Sequence, residues 1–151
     1  MINAETSLTG NSARFTAPGA AVPGWTGDAT VICKASGATT GGAFALFELY
    51  SAPGSGAPVH VHQYEDEALY VLDGEYEVTD ADAGTRVVAG PGACVVLPRG
   101  TRHSFRNIAH ESARLLALVT PAGLEGFFEE IAANPADGLA IAQKYGLEFF
   151  G

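Results

Sequence analysis

A chain of 151 residues with 47% apolar and 17% charged residues can bury one sizeable core and is too apolar to stay disordered. Its formal net charge of −9 disfavours nucleic acid and anionic membrane as partners, because both reward clustered Lys and Arg. No apolar run is long enough to span a bilayer, the start MINAETSLTGNSARF lacks a secretory signal, and Cys33 and Cys94 are too few for a disulfide framework, so a cytoplasmic protein with reduced thiols is expected.

Residues 1–28 read as an N-terminal arm, with Trp25 as an anchor. From residue 29 to 120, Gly and Pro punctuate short runs rich in Val, Leu, Phe and Tyr: TVICKA, GAFALFELY, ALYVLDG, YEVTD, RVVAG, CVVLP and RLLALVTP. Turn residues every eight to twelve positions make this an all-β sandwich or barrel. Beyond Pro121 the period changes. Leu124, Phe127, Phe128 and Ile131 fall at i, i+3, i+4 and i+7, one face of a helix. PADGLAIAQKYG repeats the pattern more weakly and ends on Gly146, so residues 121–151 are expected to be helices packed on the barrel.

The four histidines are unevenly placed. In a strand, His60 and His62 point to one face about 7 Å apart, which suits two ligands of one metal ion. Polar alternation on a wet strand gives the same HxH pattern. Glu67 has the wrong parity for the same strand, so the polar QYED is read as a turn and Glu67 is placed on the next strand, folded back beside the first. Spacing alone also allows Asp66, and Glu65 and Asp66 read as solvated turn carboxylates. His103 opens a further strand after PRGTR, whereas His110 reads as a surface residue. Three imidazoles and a carboxylate suit one divalent transition metal (Fe, Mn, Ni, Co, Cu or Zn) better than Ca or Mg.

Two spaced motifs carry a family resemblance. Gly54-x5-His60-x-His62-x4-Glu67-x6-Gly74 resembles the first cupin motif, and Gly92-x5-Pro98-x-Gly100-x2-His103-x3-Asn107 resembles the second. Seventeen residues, 75 to 91, separate them, a short spacing typical of small single-domain cupins. TGGAF (40 to 44), EDEALYVLDG and KYGLEFF are similar to the bacterial quercetin-dioxygenase-like branch. The resemblance implies a double-stranded β-helix, a jelly-roll-like barrel, and His60, His62, Glu67 and His103 as metal ligands. The motif glycines fit tight turns, and Asn107 a turn held by its side chain.

Parity ranks the cavity lining. If His103 faces inward so does Phe105, and if Glu67 does so do Leu69 and Val71. Phe44 and Leu46, or their alternates Ala45 and Phe47, add a wall, and Phe127 and Phe128 close the mouth or simply dock the helix. Arg99 and Arg102 read as surface ion-pair formers. Tyr70 and Leu72 would pack outward, and edge strands with an apolar outer face lead to an expected homodimer. A divalent ion with an open position polarises a bound oxygen, and Glu67 can serve as ligand and as catalytic base. In quercetin-dioxygenase-like cupins the resemblance implies an enol deprotonated on the metal, then attack by O2. The small-molecule substrate is therefore expected to be an aromatic or polyketide-like enol. A redox-neutral isomerase, cyclase or lyase, and a non-catalytic ligand binder, are the alternatives.

Overall fold

Alternation of more and less buried residues builds much of the barrel wall. The computed structural model describes Arg14, Thr16 and residues 29–151, so the arm expected over residues 1–28, Trp25 included, lies otherwise outside the described residues. Strands run β1 (Ala29–Ala35), β2 (Ala45–Ser51), β3 (Gly56–His62), β4 (Asp66–Asp73), β5 (Tyr76–Asp80), β6 (Thr85–Ala89), β7 (Cys94–Leu97), β8 (His103–Asn107), β9 (Ala113–Thr120) and β10 (Leu147–Phe149). In β9 the residues Ala113, Leu115, Ala117 and Val119 point inward.

Two antiparallel five-stranded sheets result, ordered β1-β2-β9-β4-β7 and β10-β3-β8-β5-β6. Their inner faces share one core, with Phe47, Leu69, Leu115 and Val119 from the first and Tyr76, Val78 and Phe105 from the second. This is the expected jelly-roll-like barrel. Burying one such side chain as fully as Phe47 contributes roughly 1.5–3 kcal/mol.

Phe44 and Leu46 are corrected by this register. Strand β2 pairs with β9 so that Phe47 opposes Ala117 and Leu49 opposes Leu115, all inward. Phe44 and Leu46 therefore face outward, and the alternates Ala45 and Phe47 form the wall, because a strand turned by one residue exchanges its faces.

Turn chemistry follows the motifs. Gly74 has φ +79°, and a Cβ there would sit 2.5 Å from that of Ala113. Gly100, at φ +81°, donates its N–H to the carbonyl of His62 at 2.9 Å and so ties the turn before β8 to the end of β3. Asn107 is fully buried. Its Nδ2 donates to the carbonyls of Ser51 and Glu111 at 2.9 and 2.8 Å, and its Oδ1 accepts from the Ala109 N–H.

Helices were expected only after residue 121. A four-residue turn of helix, α1 (Gly37–Thr40), precedes β2, followed near the C-terminus by α2 (Leu124–Ala133) and α3 (Gly138–Lys144). The Glu125 carboxylate accepts from the N–H groups of Gly37 and Gly123, at 2.6 and 2.7 Å, and so fastens the start of α2 to α1. The C-terminal segment is not wholly helical: β10 pairs Leu147 with His62 and Phe149 with His60 along the edge of β3. No helix among the described residues is long and apolar enough to cross a membrane.

Candidate metal centre

Three strands from two sheets bring the four sequence-predicted ligands together. His60 and His62 lie on β3, and His103 opens β8 directly opposite His60 in the ladder. Glu67 was expected beside β3, but β4 belongs to the other sheet. The carboxylate thus reaches the histidines across the barrel interior. All four residues are buried, and one ligand atom from each lies within 4.8 Å of the others. His60 Nε2 is 3.2 Å from His62 Nε2. Glu67 Oε2 is 2.9 Å from His103 Nε2 and 3.5 Å from His62 Nε2.

The outer nitrogens define how the rings are held. His60 Nδ1 lies 2.7 Å from the Pro58 carbonyl and His103 Nδ1 lies 2.9 Å from that of Thr101. A carbonyl only accepts, so each Nδ1 carries the proton, and in a neutral ring Nε2 then offers its lone pair to the centre. Burial, followed by the charge of His103, pushes the His60 imidazole down to about 4, so it is neutral at pH 7. Burial raises the Glu67 carboxyl, but the His103 hydrogen bond and the electrostatic pull of the surrounding imidazoles outweigh it and hold the group low. Burial likewise opposes charge on His103, and its bond to Glu67 reverses that and raises it. The donors suit a transition metal: ions held at about 2.0–2.2 Å by nitrogen and oxygen ligands space those ligands by about 3–4 Å.

The neighbouring carboxylates separate cleanly. Asp66, the alternative ligand, turns outward and takes a two-pronged ion pair from Arg99, at 3.2 and 3.0 Å. Arg102 pairs with Asp82 through Nε alone at 2.6 Å, its backbone N–H donating to the other carboxylate oxygen at 2.8 Å. Glu65, in contrast, is not the solvated turn residue expected. It is 3% exposed, with Oε2 3.5 Å from His62 Nδ1. The run Glu65-Asp66-Glu67 alternates in, out, in, and β-parity starting from Glu67 was the signal available for it.

A narrow apolar cavity of about 70 Å³, open to solvent at its mouth, lies against His60, His62 and Glu67. Its walls include Phe47, Phe105, Phe127, Phe128, Leu147 and Phe149. Phe105 is thus placed as parity predicts. Leu69 and Val71 do face inward, but they pack in the core and not on this cavity. Phe149, which the sequence reading did not single out, lies with its ring 5.8 Å from that of His60. The alternation Leu147, Phe149 after Gly146 was the trace it left.

Residues 47–119 match the family described as Cupin domain. The chain is 35% identical over 103 residues to quercetin 2,3-dioxygenase of Bacillus subtilis, covering 68% of this chain and 29% of that protein. It is 35% identical over 69 residues to polyketide synthase CurC of Streptomyces cyaneus, covering 46% of this chain and 44% of that one. Among solved structures, the polyketide cyclase RemF from Streptomyces resistomycificus superimposes with a TM-score of 0.55 at 28% identity, covering 65% of this chain and 68% of RemF. The chain thus spans less than half the length of the curated relatives it matches.

Proposed function

This chain carries a cupin domain, and from that premise we propose that it is a metal-dependent dioxygenase acting on a small aromatic or polyketide-like enol. One observation supports this above the others: a buried His60, His62, Glu67 and His103 cluster at the polar end of a cavity walled by phenyl rings. When bound, a divalent transition metal supplies Lewis-acid polarisation and redox chemistry at that corner. The protein's own contribution is to bind and orient. Phe47, Phe127, Phe128 and Phe149 offer flat apolar contact to a conjugated ring and exclude water, while among the described residues the polar lining lies at His60, His62 and Glu67. A hydroxyl beside a carbonyl would be directed there, and Glu67, ionised and buried, is the nearest acceptor for the hydroxyl proton. His103 cannot donate Nε2–H to Glu67 and present that lone pair elsewhere at once, so a deprotonated His103 leaves Glu67 the stronger base. The free thiols Cys33 and Cys94 accord with a reducing compartment such as the cytoplasm.

A second reading, a redox-neutral cyclase, is favoured by the likeness to CurC and RemF. Oxygen consumption separates the two. Metal-loaded protein is given a panel of flavonols and hydroxyquinones in an oxygen-electrode cell and again under strict anaerobiosis. Conversion that consumes O2 and stops without it supports the dioxygenase. Equal conversion in both replaces it with the cyclase or isomerase, and no conversion of any compound leaves a ligand binder.

A further inference from the structure

Each of the three imidazoles that turn Nε2 inward must have its other nitrogen held, and the three are not held alike. His60 and His103 use backbone carbonyls, of Pro58 and Thr101. His62 faces a side chain: Oε2 of Glu65, 3.5 Å from its Nδ1. Both atoms are buried, and among the described residues they are the buried side-chain atoms with no hydrogen-bond partner. A buried carboxylate is costly without a donor, and here one donor lies beside it. A shift of about half an ångström brings the pair within the usual 2.7–3.2 Å range. Asp66 next door is engaged outward by Arg99, so it offers His62 nothing.

We propose that Glu65 is a positioning residue that holds the Nδ1–H of His62, fixing the tautomer and ring angle with which His62 presents Nε2 to a metal ion. The proposal rests on the metal-centre reading above. A carboxylate is a stronger acceptor than a carbonyl, so it also makes His62 the most electron-rich of the three imidazoles. Glu65 thereby tunes the centre without touching it.

The test is Co(II) binding by the full chain, followed by chelator competition and by the visible ligand-field spectrum, for wild type, Glu65→Gln, Glu65→Ala and the neighbour control Asp66→Asn. Glu65→Ala is expected to bind Co(II) about 10–100-fold more weakly, the usual cost of losing such a support, and to shift the visible bands. Glu65→Gln keeps an acceptor without charge and is expected to recover part of the affinity with an intermediate spectrum. Asp66→Asn should match wild type. Wild-type affinity and spectrum in both Glu65 variants would overturn the proposal, as would a lower melting temperature with an unmoved spectrum, which marks a merely structural role. Should Glu65→Ala fail to fold, Glu65→Gln decides alone. Failure of the wild type itself to bind Co(II) would instead sink the metal-centre reading, and this proposal with it.

Discussion

Glu67 and His103 meet across the barrel from opposite sheets, Oε2 to Nε2 at 2.9 Å, with both side chains almost wholly shielded from water. Because His103 Nδ1 already donates to the Thr101 carbonyl, donation from Nε2 as well makes the ring an imidazolium, paired with a carboxylate. That pair, and the neutral His60 set edge-on to His103 with ring centroids 4.4 Å apart, set the acid response of the metal-free protein.

His60 carries the clearest pH signature. Its folded value of about 4 lies below the ordinary 6.5, so between these pH values the unfolded chain binds a proton that the folded one refuses. Stability therefore rises with pH through this window, by on the order of 3 kcal/mol from a shift of this size. Glu67, held low, adds stability that is present above its ordinary value and lost as pH falls through its folded one. His103, raised, works the other way: its contribution is present below 6.5 and lost as pH rises through its folded value. Urea unfolding in EDTA should show stability falling from pH 6.5 towards 4, with a shallower fall in His60→Gln. An unchanged slope in that variant would assign the effect elsewhere.

Two phenylalanines on the cavity should separate packing from binding. Phe47 is 1% exposed and meets Phe128 edge-on at 5.2 Å, so Phe47→Ala should cost roughly 3–5 kcal/mol in urea unfolding. Phe149 is 38% exposed on an edge strand. Phe149→Ala should leave stability within about 1 kcal/mol of wild type while weakening binding of an aromatic ligand. Equal stability losses in the two would contradict the placement of Phe149 at the mouth.

Burial, with Glu125 and Glu129 nearby, pushes the Cys33 thiol up to about 11 from 9. At pH 8 the thiolate is the reacting form, so Cys33 should alkylate about 100-fold more slowly in the folded protein than in the unfolded chain. Mass spectrometry of the peptide containing Cys33 checks this; matching rates would mean that the thiol is exposed.

The outer face of the sheet β1-β2-β9-β4-β7 carries an apolar row, Leu46 beside Leu118 beside Ala68 beside Val96. Val96 is 66% exposed and Tyr70, one row over, 44%. A second copy is expected to cover this face. Light scattering should give a dimer for the wild type and a monomer for Val96→Glu/Leu118→Glu; a wild-type monomer at micromolar concentration contradicts it.

The His60, His62, Glu67 and His103 cluster was legible in the sequence because each residue sits at a fixed spacing with a chemical reason for its type. The barrel was legible because its glycines and prolines fall where turns need them. The wall from β2 was not, since FALFELY is apolar on both faces and parity alone cannot choose between them; only Glu48, on the outward face with Leu46, hinted at the answer. Glu65 was misread because a charged residue in a polar run looks solvated until a buried imidazole nitrogen is found facing it. The partner of Glu67 across the barrel was invisible for a different reason. Sheet membership depends on long-range pairing, β4 with β9 and β7, which local alternation does not encode. Strand β10 was hidden by its brevity, three residues after a helix.

Metal content is the most direct measurement of the central claim. Elemental analysis of the purified chain, His60→Ala/His62→Ala and Asp66→Asn, each checked for folding by circular dichroism, compares the ligand set with its rejected alternative. The predicted result is about one transition-metal ion per chain in wild type and in Asp66→Asn, and almost none in a still-folded double variant. A full complement in His60→Ala/His62→Ala, or loss of metal in Asp66→Asn, would contradict it.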